Sequence, residues 1–266
     1  MTPTSRPRTS PSGDLPAIRR WIGESTALWA GGGRHEVEAG RWLTLSGARS
    51  TDYNVAACHD AGPSGPGDLF ERSLADVKEA GAPAVVMAAG VALGAVQVLA
   101  DAGWVCIGQT PVMHLAAAAV GPDPEDGAVR RIGAAELDAV RAVVAVTFEL
   151  PPELAALAIP DEAAGGAGPM ALWGLEVDGR LVSVAASYRA GPAAVFWSVA
   201  TPPSEHRRGH GRRLFDSVHA RLAADGVEAF VLYASPPGEA LYRRLGYEVV
   251  EHWQQWSRPR WVLGGV

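Results

Sequence analysis

Residues 204–218 read SEHRRGHGRRLFDSV: four arginines surround Gly209 and Gly211, and a helical pattern follows. Glycines between a strand and a helix allow a tight turn and let a ligand approach the main chain. A helix start offers unpaired N–H groups and the positive end of its dipole, which suits an anion. Arg207, Arg208, Arg212 and Arg213 add charge that a pyrophosphate would find favourable. Such a turn is equally compatible with a solvated helix start carrying surface arginines, because short glycine motifs recur by chance. No GKS or GKT follows, which excludes a P-loop, and a third glycine and strand-end acid are missing for a dinucleotide fingerprint.

A second stretch, GEALYRRLGY at 238–247, places Tyr242 seven residues after Ser235 and ahead of Gly246-Tyr247. Together the two motifs resemble the GNAT superfamily of acyl-CoA-dependent N-acetyltransferases over residues 129–257. That family carries (Gln/Arg)-x-x-Gly-x-(Gly/Ala) after its fourth strand, with a proline six residues before the first glycine. His206-Arg207-Arg208-Gly209-His210-Gly211 and Pro203 occupy those positions. Two departures stand out: His206 replaces Gln or Arg, which would make binding weaker or pH-sensitive, and Ser235 replaces a frequent Asn near the pantetheine.

The resemblance implies acetyl-CoA as cosubstrate, direct attack by an amine on the thioester, and no metal. It implies pyrophosphate binding by residues 206–212, from His206 through Arg207, Arg208, Gly209, His210 and Gly211 to Arg212. Pantetheine would lie along Val199, Ala200 and Thr201, with Ser235 nearby and Tyr242 as general acid. An amine must also lose a proton, and Glu149 at the end of the first helix is the nearest carboxylate candidate for that step; Tyr188 and His252 are weaker ones. Tyr242 has the alternative of an aromatic packed beside Leu241 and Leu245, and Glu149 that of a helix-end charge. Trp173, Trp197, Trp253 and Trp256 read as sheet-face packing, with Trp197 or Trp253 the alternative wall of an acceptor pocket.

Those residues need positioning elements. In the second half, VRRIGAAELDAVRAVVAVTFEL reads as a strand and a helix with Leu137, Val140, Val144 and Phe148 on one face. PPELAALAIP gives a short helix. Asp178-Gly179 marks a two-residue hairpin turn. AVFWSVAT, VEAFVLYAS and YEVVEHWQQWSR read as strands, with helices after the arginine–glycine turn and after Pro236. The first half repeats the order: strand DYNVAACHD, turn GPSGPG, helix DLFERSLADVKEAG, strand APAVVMAAG, helix VALGAVQVLADAG, strand WVCIGQTPVMHL. Gly65, Gly67, Gly81 and Gly103 pair with Gly209, Gly211, Gly226 and Gly246 at offsets of 143 to 145 residues, the pattern of a duplication.

The fold expected is therefore α/β: two tandem GNAT-like domains, each a mixed, mostly antiparallel sheet flanked by helices. The divisions are a disordered tail at 1–16, a degenerate GNAT-like domain at 17–120, a linker at 121–128 in a Pro/Gly/acid-rich stretch, and the catalytic domain at 129–266. The first copy's turn has lost its arginines, two prolines remove N–H donors, and Asp68 stands where phosphate charge would go.

Composition narrows the classes. The 266 residues carry a formal charge of −6, are 48% hydrophobic and 20% charged, and contain two cysteines and no CxxC. This suits a globular, cytoplasmic protein rather than a nucleic-acid binder. The apolar run from Ala84 ends at Gln97, too short to span a bilayer, and the N-terminus carries no signal-peptide core. Partners are thus acetyl-CoA and a small amine or amino terminus, without nucleic acid or membrane; a homodimer stays open. Two other classes remain: a non-catalytic acyl-CoA-binding sensor, and an interaction protein with no ligand.

Overall fold

The computed structural model describes residues 14–65, 67–164 and 168–263. Its first half runs α1 (Leu15–Ser25), β1 (Arg34–Glu38), β2 (Arg41–Leu45), β3 (Asn54–Cys58), α2 (Asp68–Ala80), β4 (Val85–Ala88), α3 (Gln97–Asp101) and β5 (Val105–Ala116). The second half runs β6 (Val129–Arg131), α4 (Leu137–Phe148), α5 (Pro152–Ala158), β7 (Met170–Val177), β8 (Arg180–Ala190), β9 (Ala193–Ala200), α6 (His210–Ala224), β10 (Ala229–Tyr233), α7 (Pro236–Arg244), β11 (Glu248–Ser257) and α8 (Pro259–Leu263).

Local chemistry accounts for many of the boundaries. Asp14 caps α1 by accepting from the Ala17 amide at 3.1 Å, so ordered helix begins inside the stretch expected to be tail; residues 1–13 of that expectation lie outside the described residues. The hairpin between β7 and β8 turns on Asp178 and Gly179, both left-handed (φ 50° and 71°), as the sequence predicts. The first half's second helical stretch is the main local difference: it opens as a 3-10 turn at Gly90–Ala95 before the short α3, since glycines at 90 and 94 weaken helical propagation. The strands β1 and β2 were not anticipated.

All strands join one mixed sheet in the order β1-β2-β3-β4-β11-β5-β10-β9-β8-β7-β6. This differs from a separate sheet in each half. β5 passes over to pair antiparallel with β10, and β11 passes back to pair with β4, while β5 and β11 pair with each other. The pattern reads alike outward from the β5/β11 pair. On each side comes an antiparallel strand and then a parallel pair, β4 with β3 and β10 with β9.

One core under a single sheet face serves both halves. Ile18, Trp21 and Ile22 of α1 lie with Val55 and Met87 of the first half and with Val140, Leu172, Val195 and Trp253 of the second. The opposite face carries two smaller cores, one including Leu214, Phe215 and Val218 of α6 and one including Leu69, Phe70 and Val77 of α2. The segment 121–128 is held rather than loose. Asp123 and Asp126 accept from Arg221 and Arg213 of α6 at 2.9 Å each, and these guanidinium hydrogen bonds hold both carboxyls below their usual range.

Candidate active site: an open strand pair beside a glycine turn

β9 and β10 start as a parallel pair, Ala193–Val195 against Ala229–Val231, and then separate. β9 continues to Ala200 along β8, and β10 to Tyr233 along β5. Past Val195 and Val231 the facing strand edges therefore carry backbone groups with no partner across the gap. A bulge helps to open it: the β8–β9 register shifts between Val184↔Ala200 and Ala186↔Trp197, and Ser198 within it is left-handed (φ 48°). Val199, Ala200 and Thr201 lie on or next to this free edge.

The turn beyond Thr201 leads into α6. Gly209 takes φ 81° as the N-cap residue, a conformation that favours glycine, and no side chain caps the helix. The Arg213 amide bonds the Gly209 carbonyl at 3.0 Å, so the first-turn amides before it point outward unpaired, as at any uncapped helix start. Gly211 is close-packed: an added Cβ would stand 3.1 Å from Leu241 Cδ2 and 3.9 Å from Thr201 Oγ1. The turn, α7 and the end of β9 therefore meet at one point.

The arginines are less available than their number suggests. Arg208 pairs with Glu205 at 2.9 Å, Arg212 with Asp216 at 3.4 Å, and Arg213 with Asp126. Glu205 also faces His210 Nε2 at 3.4 Å. Among the described residues, Arg207 alone of the four makes no ion pair, and its backbone is left-handed (φ 59°). Two further expected ligand contacts serve the protein itself. The His206 ring bonds the Thr201 carbonyl at 2.7 Å, and the Thr201 and Ser183 hydroxyls hydrogen-bond to each other at 2.8 Å. Ser235 is the N-cap of α7, accepting from the Gly238 amide at 3.4 Å.

Tyr242 is buried on α7, edge-on to Phe215 and Tyr247 at 5.7 Å each. Burial pushes its hydroxyl pKa well up, so it stays protonated across any working pH. His219, behind it on α6, bonds the Tyr247 hydroxyl at 2.9 Å, and burial lowers its pKa to about 3. A cavity of about 290 Å³ runs along α6 between Arg212, Asp216, Val120 and Leu245. Glu149 is the exposed, left-handed C-cap of α4 (φ 54°). Nothing in its contacts ties it to Tyr242 or to the open strands.

The tryptophans divide. Trp173 is core: it donates to Ser187 Oγ at 2.9 Å beneath Arg131. Trp253 is buried and donates to Glu251 at 2.7 Å, and Trp256 packs against the smaller core of the first half. Trp197 stands on the open stretch of β9 and meets Tyr233 of β10 at 4.8 Å and Trp29 of the first half at 4.4 Å. Sequence reasoning missed Trp29, Tyr53 and Tyr233. The aromatic-rich stretch around Trp21 and Trp29 was the available signal, but nothing in it names a partner so distant along the chain.

The first half lacks the opening. β3 and β4 stay paired to their C-terminal ends, Val55–Cys58 with Val85–Ala88, and the Ala89 amide still bonds the Cys58 carbonyl at 3.0 Å. Arg19 lies over that end, bonding Glu251 at 3.0 Å and reaching the His59 carbonyl at 3.5 Å. Asp68 folds over the Gly62–Gly65 turn, where a Cβ on Gly62 would meet its Cβ at 2.8 Å.

Residues 128–250 match the model of the acetyltransferase (GNAT) domain family. Similar solved structures extend over both halves. A GCN5-related N-acetyltransferase from Kribbella flavida is 18% identical, with 91% of this chain and 95% of that one covered at TM-score 0.66. A GNAT-family putative acetyltransferase from Novosphingobium aromaticivorans is 20% identical, with coverage of 93% and 98% at TM-score 0.56. A GCN5-related N-acetyltransferase from Sphaerobacter thermophilus is 17% identical, covering 82% and 76% at TM-score 0.60. At these identities the likeness is one of fold. No curated protein matches the sequence.

Proposed function

We propose that the protein is an N-acetyltransferase that moves an acetyl group from acetyl-CoA directly to a primary amine, using the second half. The observation that carries this is the separation of β9 from β10 beside an uncapped, glycine-started helix. The open edge of β9 offers main-chain groups to the pantetheine amides, and the first turn of α6 offers amides and a dipole to the pyrophosphate. Arg207 is the arginine with charge to spare; Arg208 and Arg212 would have to leave Glu205 and Asp216 to contribute. His206 and Ser235 support the site through the Thr201 carbonyl and the α7 start.

In the reaction the neutral amine attacks the thioester carbonyl. An outward N–H of β9 near Val199 stabilises the oxyanion. The C–S bond then breaks, the departing thiolate takes a proton from Tyr242, which burial keeps protonated beforehand, and the proton that the nitrogen gives up as the amide forms returns through water to Tyr242. The two-sided pattern of the sheet supports reading residues 17–120 as a second copy of the same fold. Its closed strand pair and Asp68 support a copy that no longer holds CoA.

Calorimetric titration tests the site. Acetyl-CoA and CoA should bind the wild-type protein, ATP should not, and a Gly209→Asp, Gly211→Asp variant that keeps its fold should bind neither CoA form. Absence of acetyl-CoA binding to the wild type would overturn the activity.

A further inference from the structure

The free edge of β9 depends on one strained residue. Ser198 is left-handed (φ 48°) although it carries a side chain, and it lies in the bulge between the pairs Val184↔Ala200 and Ala186↔Trp197. Between those pairs β9 takes three residue steps where β8 takes two, so the bulge sets where Val199, Ala200 and Thr201 stand. A residue other than glycine keeps such a backbone only where its surroundings over-determine it. The hold that Ser198 makes for itself is weak: its hydroxyl reaches the Ala158 carbonyl at 3.4 Å. β3, the strand at the matching place in the first half, has no left-handed residue and no register shift.

The firmer hold is on its neighbour. Trp197 is buried, and its Nε1 donates to Ser25 Oγ at 2.9 Å. Its ring meets Trp29 at 4.4 Å and Tyr233 of β10 at 4.8 Å, edge to face in both cases. These rings pack directly on one another, as a brace does. Ser25 and Trp29 belong to the first half and are themselves fixed there. Ser25 is fully buried and donates its one proton to the Ile22 carbonyl at 2.6 Å, which leaves its lone pairs to accept from Trp197. Thr26 beside it bonds Thr44 of β2 at 2.6 Å, and Trp29 meets Tyr53 at 5.8 Å. The end of α1 is thus tied to the first half's strands on one side and to β9 on the other.

Given acyl-CoA binding in the second half, we infer that Ser25 and Trp29 of the first half are positioning residues for that site: acting through Trp197, they hold the Ser198 bulge and so set the β9 edge along which the pantetheine lies. Neither residue touches the cosubstrate. Without the Ser25 hydroxyl the buried Trp197 N–H is left unpaired, the ring loses its fixed place, and Ser198 relaxes toward extended backbone. The binding-competent edge is then present in only a fraction of the molecules, and apparent affinity falls by that fraction. The half whose own strand pair is closed serves to keep the other pair open.

The test is calorimetric titration with acetyl-CoA, with the thermal midpoint of each variant measured alongside. Ser25→Ala should weaken acetyl-CoA binding about fivefold or more. Trp197→Phe, which keeps a ring and loses the N–H, and Trp29→Leu should act in the same direction. Val77→Ala removes buried volume from a core on the opposite sheet face; it should lower the midpoint and leave affinity unchanged. Glycine adopts left-handed backbone without strain, so Ser198→Gly should still bind, and adding Ser25→Ala to it should cost less affinity than in the wild type. If Ser25→Ala does not fold, Trp197→Phe with and without Ser198→Gly decides the matter in the same way. Three results would each overturn the positioning role while the site stands: unchanged affinity in a folded Ser25→Ala, a loss that Ser198→Gly does not relieve, or a loss that Val77→Ala matches at an equal drop in midpoint. If acetyl-CoA does not bind the wild type, the activity itself falls, and this proposal with it.

Discussion

Tyr242 joins the motif reading to the geometry most directly. It is buried against Phe215 and Tyr247 with its hydroxyl held protonated, so a packing role and an acid role predict different outcomes. Tyr242→Phe keeps the ring contacts. As a general acid its loss should lower kcat/KM about 10²- to 10⁴-fold while calorimetry finds acetyl-CoA affinity unchanged. An unchanged rate would assign thiolate protonation to water, and retained binding with no turnover in the wild type would favour an acyl-CoA sensor. Gly209 and Gly211 were legible because left-handed backbone and close packing restrict residue type locally. The duties of Arg213 and His206 were not. Their partners, Asp126 and the Thr201 carbonyl, are chosen by the folded chain, and arginines look alike in sequence whether they face a ligand or an aspartate.

At the scale of elements, α6 carries the site on its first turn and a neutral buried histidine further along. Folding holds the His219 pKa at about 3 by burial, whereas an unfolded imidazole titrates near about 6.5. The unfolded chain therefore binds a proton first as pH falls. The stability that His219 contributes is complete above about 6.5 and is lost progressively toward about 3. His219→Leu should lower the denaturant midpoint at pH 7, because the Tyr247 hydroxyl loses its partner. The drop in midpoint between pH 7 and pH 4.5 should nevertheless be smaller in the variant than in the wild type. His59, lowered to about 4, and His114, also lowered, keep some slope in both proteins. Identical slopes would contradict burial of a neutral His219. Most elements of the second half were predictable from apolar spacing, the Asp178-Gly179 turn and helix-ending glycines. β1 and β2 were not, because RHEVE and RWLTL are short and one is almost wholly exposed.

Across the whole molecule, the exchange of β5 and β11 makes each half depend on the other. Residues 129–266 alone would leave β10 and β11 without β5, and residues 14–120 alone would leave β4 and β5 without β11. Each fragment would expose a long unpaired edge and half of a shared core. Neither should form a cooperatively unfolding monomer by circular dichroism, whereas co-expressed fragments should copurify and recover acetyl-CoA binding. A stable, CoA-binding 129–266 fragment would show the exchange to be dispensable.

By itself the sequence determined the local conformations and the class of chemistry they suit. Glycine positions, a helix start rich in N–H groups, the spacing from Ser235 to Tyr242 and the apolar periodicity all act over a few residues, where steric and hydrogen-bonding rules are strict. The same short-range rules made the repeated order of the two halves visible. Only the tertiary structure decided that the halves share one sheet, that β9 and β10 part while β3 and β4 stay paired, and that Trp29 packs against Trp197 of the second half. Those outcomes depend on which distant surfaces bury each other. Hydrophobic burial is non-directional, so a sequence specifies that Trp29 will be covered without stating that Trp197 will cover it.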